Sequence, residues 1–219
     1  WISHIPDLKH NWVYVWRENV LKMLEVVDIF VTTSNYTKTK YCEIYPQLAR
    51  KDFKIIPHGR DFDLDMDLSN VPRTNERIKL VTFGGINESK GKNLFIELMR
   101  IDKKKNNCLE LHVLGNAVKE MQENSIYHGA YERDELGKRL KEIRPHFSAI
   151  FSIWPETFCH TLTETWAYKL PPFVSNIGTL KERVEESGGG WLVDFEEPEK
   201  VYNQIVNISR NPEEYMKVV

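Results

Sequence analysis

The stretch IKLVTFGGINESKGKNLFIELMRIDKKKNNCLELHVLG, residues 78–115, decides the fold class. Residues 78–85 form an apolar run that ends in two glycines, and residues 93–104 carry apolar side chains at helical spacing. A second apolar run that ends in glycine follows at residues 109–115. Two short apolar runs on either side of an amphipathic helix predict a β-α-β unit of a parallel sheet.

The same alternation continues toward the end of the chain. The pattern predicts further strands at residues 147–153, 172–175 and 190–195, and further helices at residues 132–143, 180–186 and 199–209. About five alternations predict an α/β fold with a doubly wound, Rossmann-like parallel sheet and helices on both faces. In such a sheet, ligands bind where the carboxyl ends of strands meet the first turns of helices.

Residues 1–60 repeat the alternation on a smaller scale. The pattern predicts helices at residues 11–27 and 37–49 and strands at residues 28–34 and 53–59, with Ser34 as a helix N-cap. This predicts the final helix-strand-helix-strand part of an incomplete α/β domain. The aromatic side chains of the first helix are expected on a core face rather than as a platform for a sugar, although truncation of the domain would leave them exposed. The acidic, proline-containing run 61–77 predicts a linker, so that 78–219 is the second domain.

Composition excludes several classes of protein. Thirty basic and 32 acidic residues give a net charge of -2, which does not favour nucleic acid or an anionic membrane as the partner. Cys42, Cys108 and Cys159 are far apart and include no C-x-x-C pair, which indicates a reducing compartment rather than a disulfide framework or a zinc site. No run reaches about 18 apolar residues, so no transmembrane segment is predicted.

A calcium loop is the one metal motif that the chain imitates. Asp61, Asp63 and Asp65 have the spacing of the first ligands of such a loop. Met66 and Pro72 stand where the loop requires a glycine and a glutamate. No metal site is therefore expected.

The segment FGGINESKG, residues 83–91, leaves a predicted strand and enters a helix. Glycines permit close approach of the backbone, and Lys90 at the helix start offers a charge for a phosphate. The segment matches neither the G-x-x-x-x-G-K-[ST] phosphate loop nor the G-x-G-x-x-G fingerprint. An ordinary strand-to-helix turn with a solvated lysine is the alternative.

The segment WPETFCHTLTETWAYKLPPFVS, residues 154–175, places Glu156 and Glu164 on either side of a predicted helix start. Thr161 and Glu164 match a capping box, which by itself would explain Glu164. Eight residues separate the carboxylates by up to roughly 12 Å at helical rise, which is too far to share a proton. They could hold the two ends of an extended ligand whose phosphates lie over the helix N-terminus.

One cysteine and two histidines have both catalytic and structural interpretations. Cys159 lies near a helix start, which lowers a thiol pKa and would suit a nucleophile, and the alternative is a small buried residue. His58 and His160 have no recognisable partner in the sequence, so a packing or capping role is favoured over a general base.

The two segments together resemble the donor-binding half of retaining glycosyltransferases with the GT-B fold, of the group 1 or family four class. The resemblance covers roughly residues 79–210, and its specific part is the E-x₇-E element followed by Leu-Pro and a strand. It implies that residues 78–219 form the GT-B C-terminal domain and that residues 1–60 are the end of the N-terminal Rossmann domain. Such a fragment is not expected to turn over alone.

The resemblance also implies roles for individual residues. Glu156 would contact the donor sugar and Lys90 would neutralise the leaving diphosphate, as the two catalytic residues, while Glu164 would hold the ribose hydroxyls. The implied donor-binding residues are Gly84, Gly85, Lys90, Gly129, Ala130, Tyr131, Glu156, Phe158, His160, Thr161, Leu162 and Glu164. In this set, residues 129–131 would contact the base and residues 160–162 the diphosphate. Many members of the class have arginine at the position of Gly85.

The implied function is retaining transfer of a hexosyl group from a nucleoside-diphosphate sugar to an unknown saccharide, lipid or small-molecule acceptor. The N-terminal domain would bind most of the acceptor, and neither a cofactor nor a metal is expected. The expected location is cytoplasmic, with a peripheral position at the inner membrane face open for a full-length protein. The alternatives are a GT-B sugar-nucleotide epimerase or hydrolase, and a non-catalytic nucleotide- or partner-binding module.

Overall fold

The computed structural model describes residues 12–59, 61 and 66–218. The chain divides into two compact units, unit 1 (Trp1–His58) and unit 2 (Gly59–Val219). The predicted first helix begins one residue before the described range. Two aspartates of the calcium-like run, Asp63 and Asp65, also lie outside the described residues.

Residues 12–58 of unit 1 contain a single β-α-β unit preceded by a helix. Its elements are α1 (Trp12–Glu25), β1 (Ile29–Thr32), α2 (Asn35–Ile44) and β2 (Asp52–Ile55), and the two strands pair in parallel. Ser34 is the N-cap of α2, as predicted, and its hydroxyl accepts from the Thr37 amide at 3.1 Å. The helix predicted at residues 37–49 ends early at Ile44, because Pro46 disfavours helical backbone at the residue before it. A 3₁₀ turn, Pro46–Arg50, follows.

The aromatic face of α1 is not a core face within unit 1. Trp12, Tyr14 and Trp16 are exposed by 45%, 62% and 50%. The expectation that these side chains are buried is therefore wrong for unit 1.

Unit 2 is a doubly wound sheet of six parallel strands. The strands are β3 (Ile78–Phe83), β4 (Leu109–Leu114), β5 (Ile126–Tyr127), β6 (Phe147–Ile150), β7 (Pro172–Ser175) and β8 (Trp191–Val193). The helices are α3 (Lys92–Lys104), α4 (Lys119–Glu123), α5 (Leu136–Ile143), α6 (His160–Ala167), α7 (Gly178–Ser187), α8 (Pro198–Ser209) and α9 (Pro212–Met216). The strand order is β5-β4-β3-β6-β7-β8. Strands β4 and β5 are added on one side of β3, and β6, β7 and β8 follow on the other side, so the point between β3 and β6 is the switch point of the sheet.

Both faces of this sheet are covered, because successive side chains of a strand point to opposite faces. Leu80 of β3 packs in a cluster with side chains of α3 and α8. Its neighbour Val81 packs on the other face with Leu140 of α5. Farther along that face, Val174 of β7 packs with Leu162 of α6 and Leu180 of α7. The predicted Rossmann-like architecture is confirmed.

The short elements are those that the sequence pattern missed. Strand β5 has two residues and helices α4 and α9 have five each, which is too little for a periodic signal. Within the run predicted as a linker, Leu68 and Val71 pack against the core clusters of unit 2. Across the described residues, no helix has the length and apolar character needed to cross a membrane.

Candidate functional site

A small cleft of about 50 Å³ opens at the switch point of unit 2, between the carboxyl ends of β3 and β6. Its lining consists of residues 82–86, Lys90, residues 149–152, Glu156, Cys159 and Thr161. The glycine turn after β3 therefore forms one wall, and the segment between β6 and α6 forms the other. The two segments that the sequence singled out meet here.

Two glycines allow the backbone segments around the cleft to approach each other closely. Gly91 has φ +76°, and a Cβ built on it would lie 2.0 Å from the carbonyl oxygen of Phe151 at the end of β6. Gly115, after β4, has φ +110°, and its Cβ would lie 2.2 Å from the carbonyl oxygen of Gly84. A side chain at either position would force the backbone apart, because L-residues rarely adopt these angles and no room exists.

Lys90 is held against the second wall by a short 3₁₀ turn. The turn, Glu88–Lys90, is capped by Asn87, whose side chain accepts from the Lys90 amide at 3.2 Å. The carbonyl of Ser89 accepts from the Ile153 amide at 3.0 Å, which ties the turn to the segment after β6. These contacts place the Lys90 ammonium beside Glu156.

Lys90 and Glu156 form an ion pair inside the cleft. Lys90 Nζ lies 2.7 Å from Glu156 Oε1, and the side chains are 40% and 17% exposed. The Ser152 hydroxyl also donates to Oε1. A cation and a carboxylate, 66 residues apart in sequence, thus lie within reach of one ligand at the carboxyl edge of the sheet.

Helix α6 begins two residues earlier than the capping box requires. Cys159 is its N-cap, with φ +70°, and Thr161 lies inside the first turn. The prediction that Thr161 caps the helix and pairs with Glu164 is wrong, because a residue with helical backbone inside the first turn cannot be the cap. Cys159 and Thr161, at the start of α6, both line the cleft.

Cys159 does not have the environment of a nucleophile. Its side chain is buried, and this burial, reinforced by the negative charge of Glu156, raises the pKa of the thiol to about 12. The thiol is therefore protonated at neutral pH. The alternative interpretation, a small buried residue in the turn, is confirmed.

The structure brings some of the predicted site residues together and leaves others apart. Gly84, Gly85, Lys90, Glu156 and Thr161 all line the cleft. Phe158 and Leu162 are buried and His160 is exposed, and none of these three residues lines the cleft. Glu164 is half-buried on α6 and does not line the cleft.

The residues predicted to contact a base lie along the same edge of the sheet, two strands away from β3. Gly129 follows β5, and its carbonyl accepts from the Gly115 amide at 2.7 Å. Ala130 is exposed, whereas Tyr131 packs partly against the hydrophobic cluster beneath α5. None of these three residues lines the cleft.

Two residues of the site carried no signal that the sequence analysis used. Ser152 stands two residues after β6, and its position just past a strand end could have indicated it. Arg183 lies on α7, and its guanidinium donates to the backbone at Phe158 and Cys159. This contact spans 24 residues, and no spacing rule predicts it.

Comparison with known proteins gives a family match for the part of the chain that forms the cleft. The family described as "Glycosyl transferases group 1" matches residues 67–219. A curated relative, an uncharacterized 41.2 kDa protein in the cps region of Klebsiella pneumoniae, is 23% identical over 91% of this chain. The chain spans 57% of the length of that relative.

Solved structures share the fold at low identity. Sucrose-phosphate synthase from Thermosynechococcus elongatus superposes with a TM-score of 0.72 at 18% identity, over 94% of this chain and 55% of that one. Anabaena HepE in complex with UDP and glucose superposes with a TM-score of 0.67 at 15% identity, over 88% and 56%. The pneumococcal O-GlcNAc transferase GtfA in complex with UDP and GlcNAc gives 0.64 at 15%, over 95% and 44%.

Proposed function

Because the chain belongs to the glycosyl transferases of group 1, we propose that unit 2 binds a nucleoside-diphosphate sugar and presents it for retaining transfer of a hexosyl group. The single observation that carries this proposal is the Lys90–Glu156 ion pair at the switch point. It combines a cation for a diphosphate with a carboxylate for sugar hydroxyls, beside the start of a helix. Solved structures of the same fold were determined with UDP and a sugar, which supports the choice of ligand class.

The charges in the cleft suit the departure of a diphosphate. As the bond between the sugar and the diphosphate lengthens, positive charge grows on the sugar ring and negative charge grows on the phosphate oxygens. The Lys90 ammonium and the first amides of α6 offset that negative charge, and such groups act most strongly where charge develops during the reaction. The ammonium is held in place by Glu156.

Glu156 orients the sugar and does not attack it. Both Lys90 and Ser152 contact the same oxygen, Oε1, so the second carboxylate oxygen can accept from a sugar hydroxyl. We assign Glu164 to the ribose hydroxyls, and Gly129, Ala130 and Tyr131 to the base. These assignments require the donor to extend from the cleft along the carboxyl edge of the sheet toward β5.

The acceptor and the location of the protein complete the proposal. The acceptor is a saccharide, a lipid or a small molecule that is bound mainly outside unit 2. We place the protein in the cytoplasm, with a peripheral position at the inner membrane face as a second possibility. The presence of three free thiols, at Cys42, Cys108 and Cys159, supports a reducing location. The donor chemistry itself needs no metal or cofactor in this proposal.

The test uses the full-length polypeptide and measures donor binding and transfer separately. Calorimetric titration with UDP, GDP and ADP identifies the base, and product analysis with the matching sugar donors then gives the rate. We expect Lys90→Met to lower kcat by about 10²-fold, the loss typical for one group that stabilises developing charge. Glu156→Gln should lower kcat with little change in nucleotide affinity, because in this proposal Glu156 contacts the sugar of the donor and not its nucleotide.

Lys169→Met is the matched control. Lys169 forms an exposed ion pair with Asp67 at 2.9 Å, so the substitution removes the same kind of charge pair outside the cleft. Undiminished turnover in Glu156→Gln would refute the role of Glu156. Consumption of the donor without a glycosylated acceptor would favour the epimerase or hydrolase alternative, and the absence of nucleotide binding would favour the non-catalytic module.

A further inference from the structure

The guanidinium of Arg183 holds the backbone turn that leads into α6. Its Nη1 donates to the carbonyl oxygens of both Phe158 and Cys159, each at 2.9 Å. Its Nη2 donates to Thr163 Oγ1, also at 2.9 Å, one turn farther into the helix. One side chain of α7 thereby fixes three points on the segment that begins α6.

Two aromatic rings keep this guanidinium in place. The Arg183 Cζ lies 4.1 Å from the centroid of the Phe158 ring and 4.9 Å from that of the Trp166 ring. A cation lying against aromatic faces is attracted by the negative charge of those faces, and the planar fork of arginine loses little freedom when it binds several acceptors. The position of Arg183 is therefore well determined by its surroundings.

The contact to two successive carbonyls sets the direction of two amides. In a trans peptide, the carbonyl oxygen of one residue points opposite to the amide hydrogen of the next. Both peptides are trans, and both carbonyl oxygens converge on the same nitrogen of Arg183. The amides of Cys159 and His160 must therefore point away from Arg183. Two neighbouring amides on the same side of a turn can donate to different oxygens of one anion.

The backbone at Cys159 is strained. Cys159 has φ +70°, a region that residues with a Cβ rarely adopt, and strained positions persist only where the surroundings enforce them. Cys159 and Thr161, the residues on either side of His160, both line the cleft that contains Lys90. The turn that carries the two amides and the lysine therefore border the same cleft.

We infer that Arg183 is a positioning residue that turns the Cys159 and His160 amides into the cleft as the binding site for a phosphate of the donor. This inference rests on the proposed function and extends it to a residue on another helix. Arg183 itself does not touch the ligand. It acts through the two carbonyls, so that its loss leaves the side chains of the cleft intact and misdirects only the amides.

The experiment compares nucleoside monophosphate and diphosphate binding by the full-length polypeptide. Dissociation constants for UMP and UDP, or for the corresponding pair of the base that the wild type prefers, are measured by calorimetry for wild type, Arg183→Met and Arg183→Lys. We expect Arg183→Met to weaken diphosphate binding about ten- to a hundredfold, the equivalent of one charge-assisted hydrogen bond. Monophosphate binding should weaken less, so the ratio of the UMP dissociation constant to the UDP dissociation constant falls. The ratio for Arg183→Lys should lie between those of the wild type and Arg183→Met.

This ratio separates positioning from simple loss of structure, because a partly unfolded protein loses both ligands by the same factor. Arg100→Met is the matched control, since Arg100 forms an exposed ion pair with Glu97 on α3 and should keep the wild-type ratio. An unchanged ratio in folded Arg183→Met overturns the inference. If that variant does not fold, the ratio in Arg183→Lys decides in the same way. Failure of the wild type to bind any nucleotide would instead refute the proposed function.

Discussion

Replacement of Gly91 by alanine should destabilise unit 2 and open its cleft. The added Cβ would lie 2.0 Å from the Phe151 carbonyl oxygen and 2.9 Å from the Phe151 Cβ, so the 3₁₀ turn and the end of β6 must separate. Alanine at φ +76° costs about 1–2 kcal/mol, and forcing an atom into a filled space costs about 1–3 kcal/mol more. We expect a total loss of about 3 kcal/mol.

Scanning calorimetry of the full chain measures this loss. For a domain of this size, about 3 kcal/mol corresponds to a fall in Tm of roughly 6–12 °C. Gly85→Ala is the matched control, because nothing lies within 4 Å of a Cβ at that position in the same turn. The reasoning is refuted if Gly91→Ala unfolds within about 0.5 kcal/mol of Gly85→Ala, the range of neutral surface substitutions. Nucleotide affinity should fall with stability, because Lys90 is displaced from the cleft.

Three further predictions concern titratable groups. Native Cys159 should resist iodoacetamide at pH 8 and react only after denaturation, because burial raises its pKa to about 12; rapid labelling of the folded protein, read by mass spectrometry, would contradict this. Burial lowers the pKa of His112, His128 and His146, so the unfolded chain takes up protons first on acidification. The free energy of unfolding should therefore fall as pH drops below about 6.5, and equal values in urea titrations at pH 7.5 and 5.5 would contradict it. Hydrogen bonds from Ser69 and then Lys169 lower the pKa of Asp67 to about 2, so its stabilising effect is present above about pH 4 and lost as pH falls through about 2. Asp67→Asn should cost less than about 1 kcal/mol at pH 5, because the pair is exposed, and this difference should disappear near pH 2.

The main strands and helices of unit 2 were predictable because each carries its own local signal. The apolar run of residues 78–83 and the helical spacing of α3 depend on side chains that are neighbours along the chain, and β7 was predicted with its observed bounds. The failures lie where the local signal is too short or misleading. Strand β5 has only two residues, and Pro46 interrupts an otherwise helical pattern.

The site was predictable in part, for the same reason. Lys90 and Glu156 were singled out by their position after strand ends and before helix starts, which is a property of the sequence once the parallel sheet is recognised. The capping box at Thr161 was wrong, because residue types alone do not reveal which residue leaves the helical conformation. The residue that leaves the helical conformation is Cys159, the N-cap of α6, whose backbone has φ +70°.

The sequence by itself determined the fold class, the order of the elements and the two segments that meet at the cleft, because these depend on periodicity and turn residues within short windows. Only the tertiary structure decided the contacts between distant windows. The ion pair of Lys90 with Glu156 depends on β3 and β6 being neighbours in the sheet. The hydrogen bonds from Arg183 to the turn before α6 depend on how α7 packs beside that turn. Such contacts are set by the packing of whole elements, for which the spacing of residues along the chain holds no information.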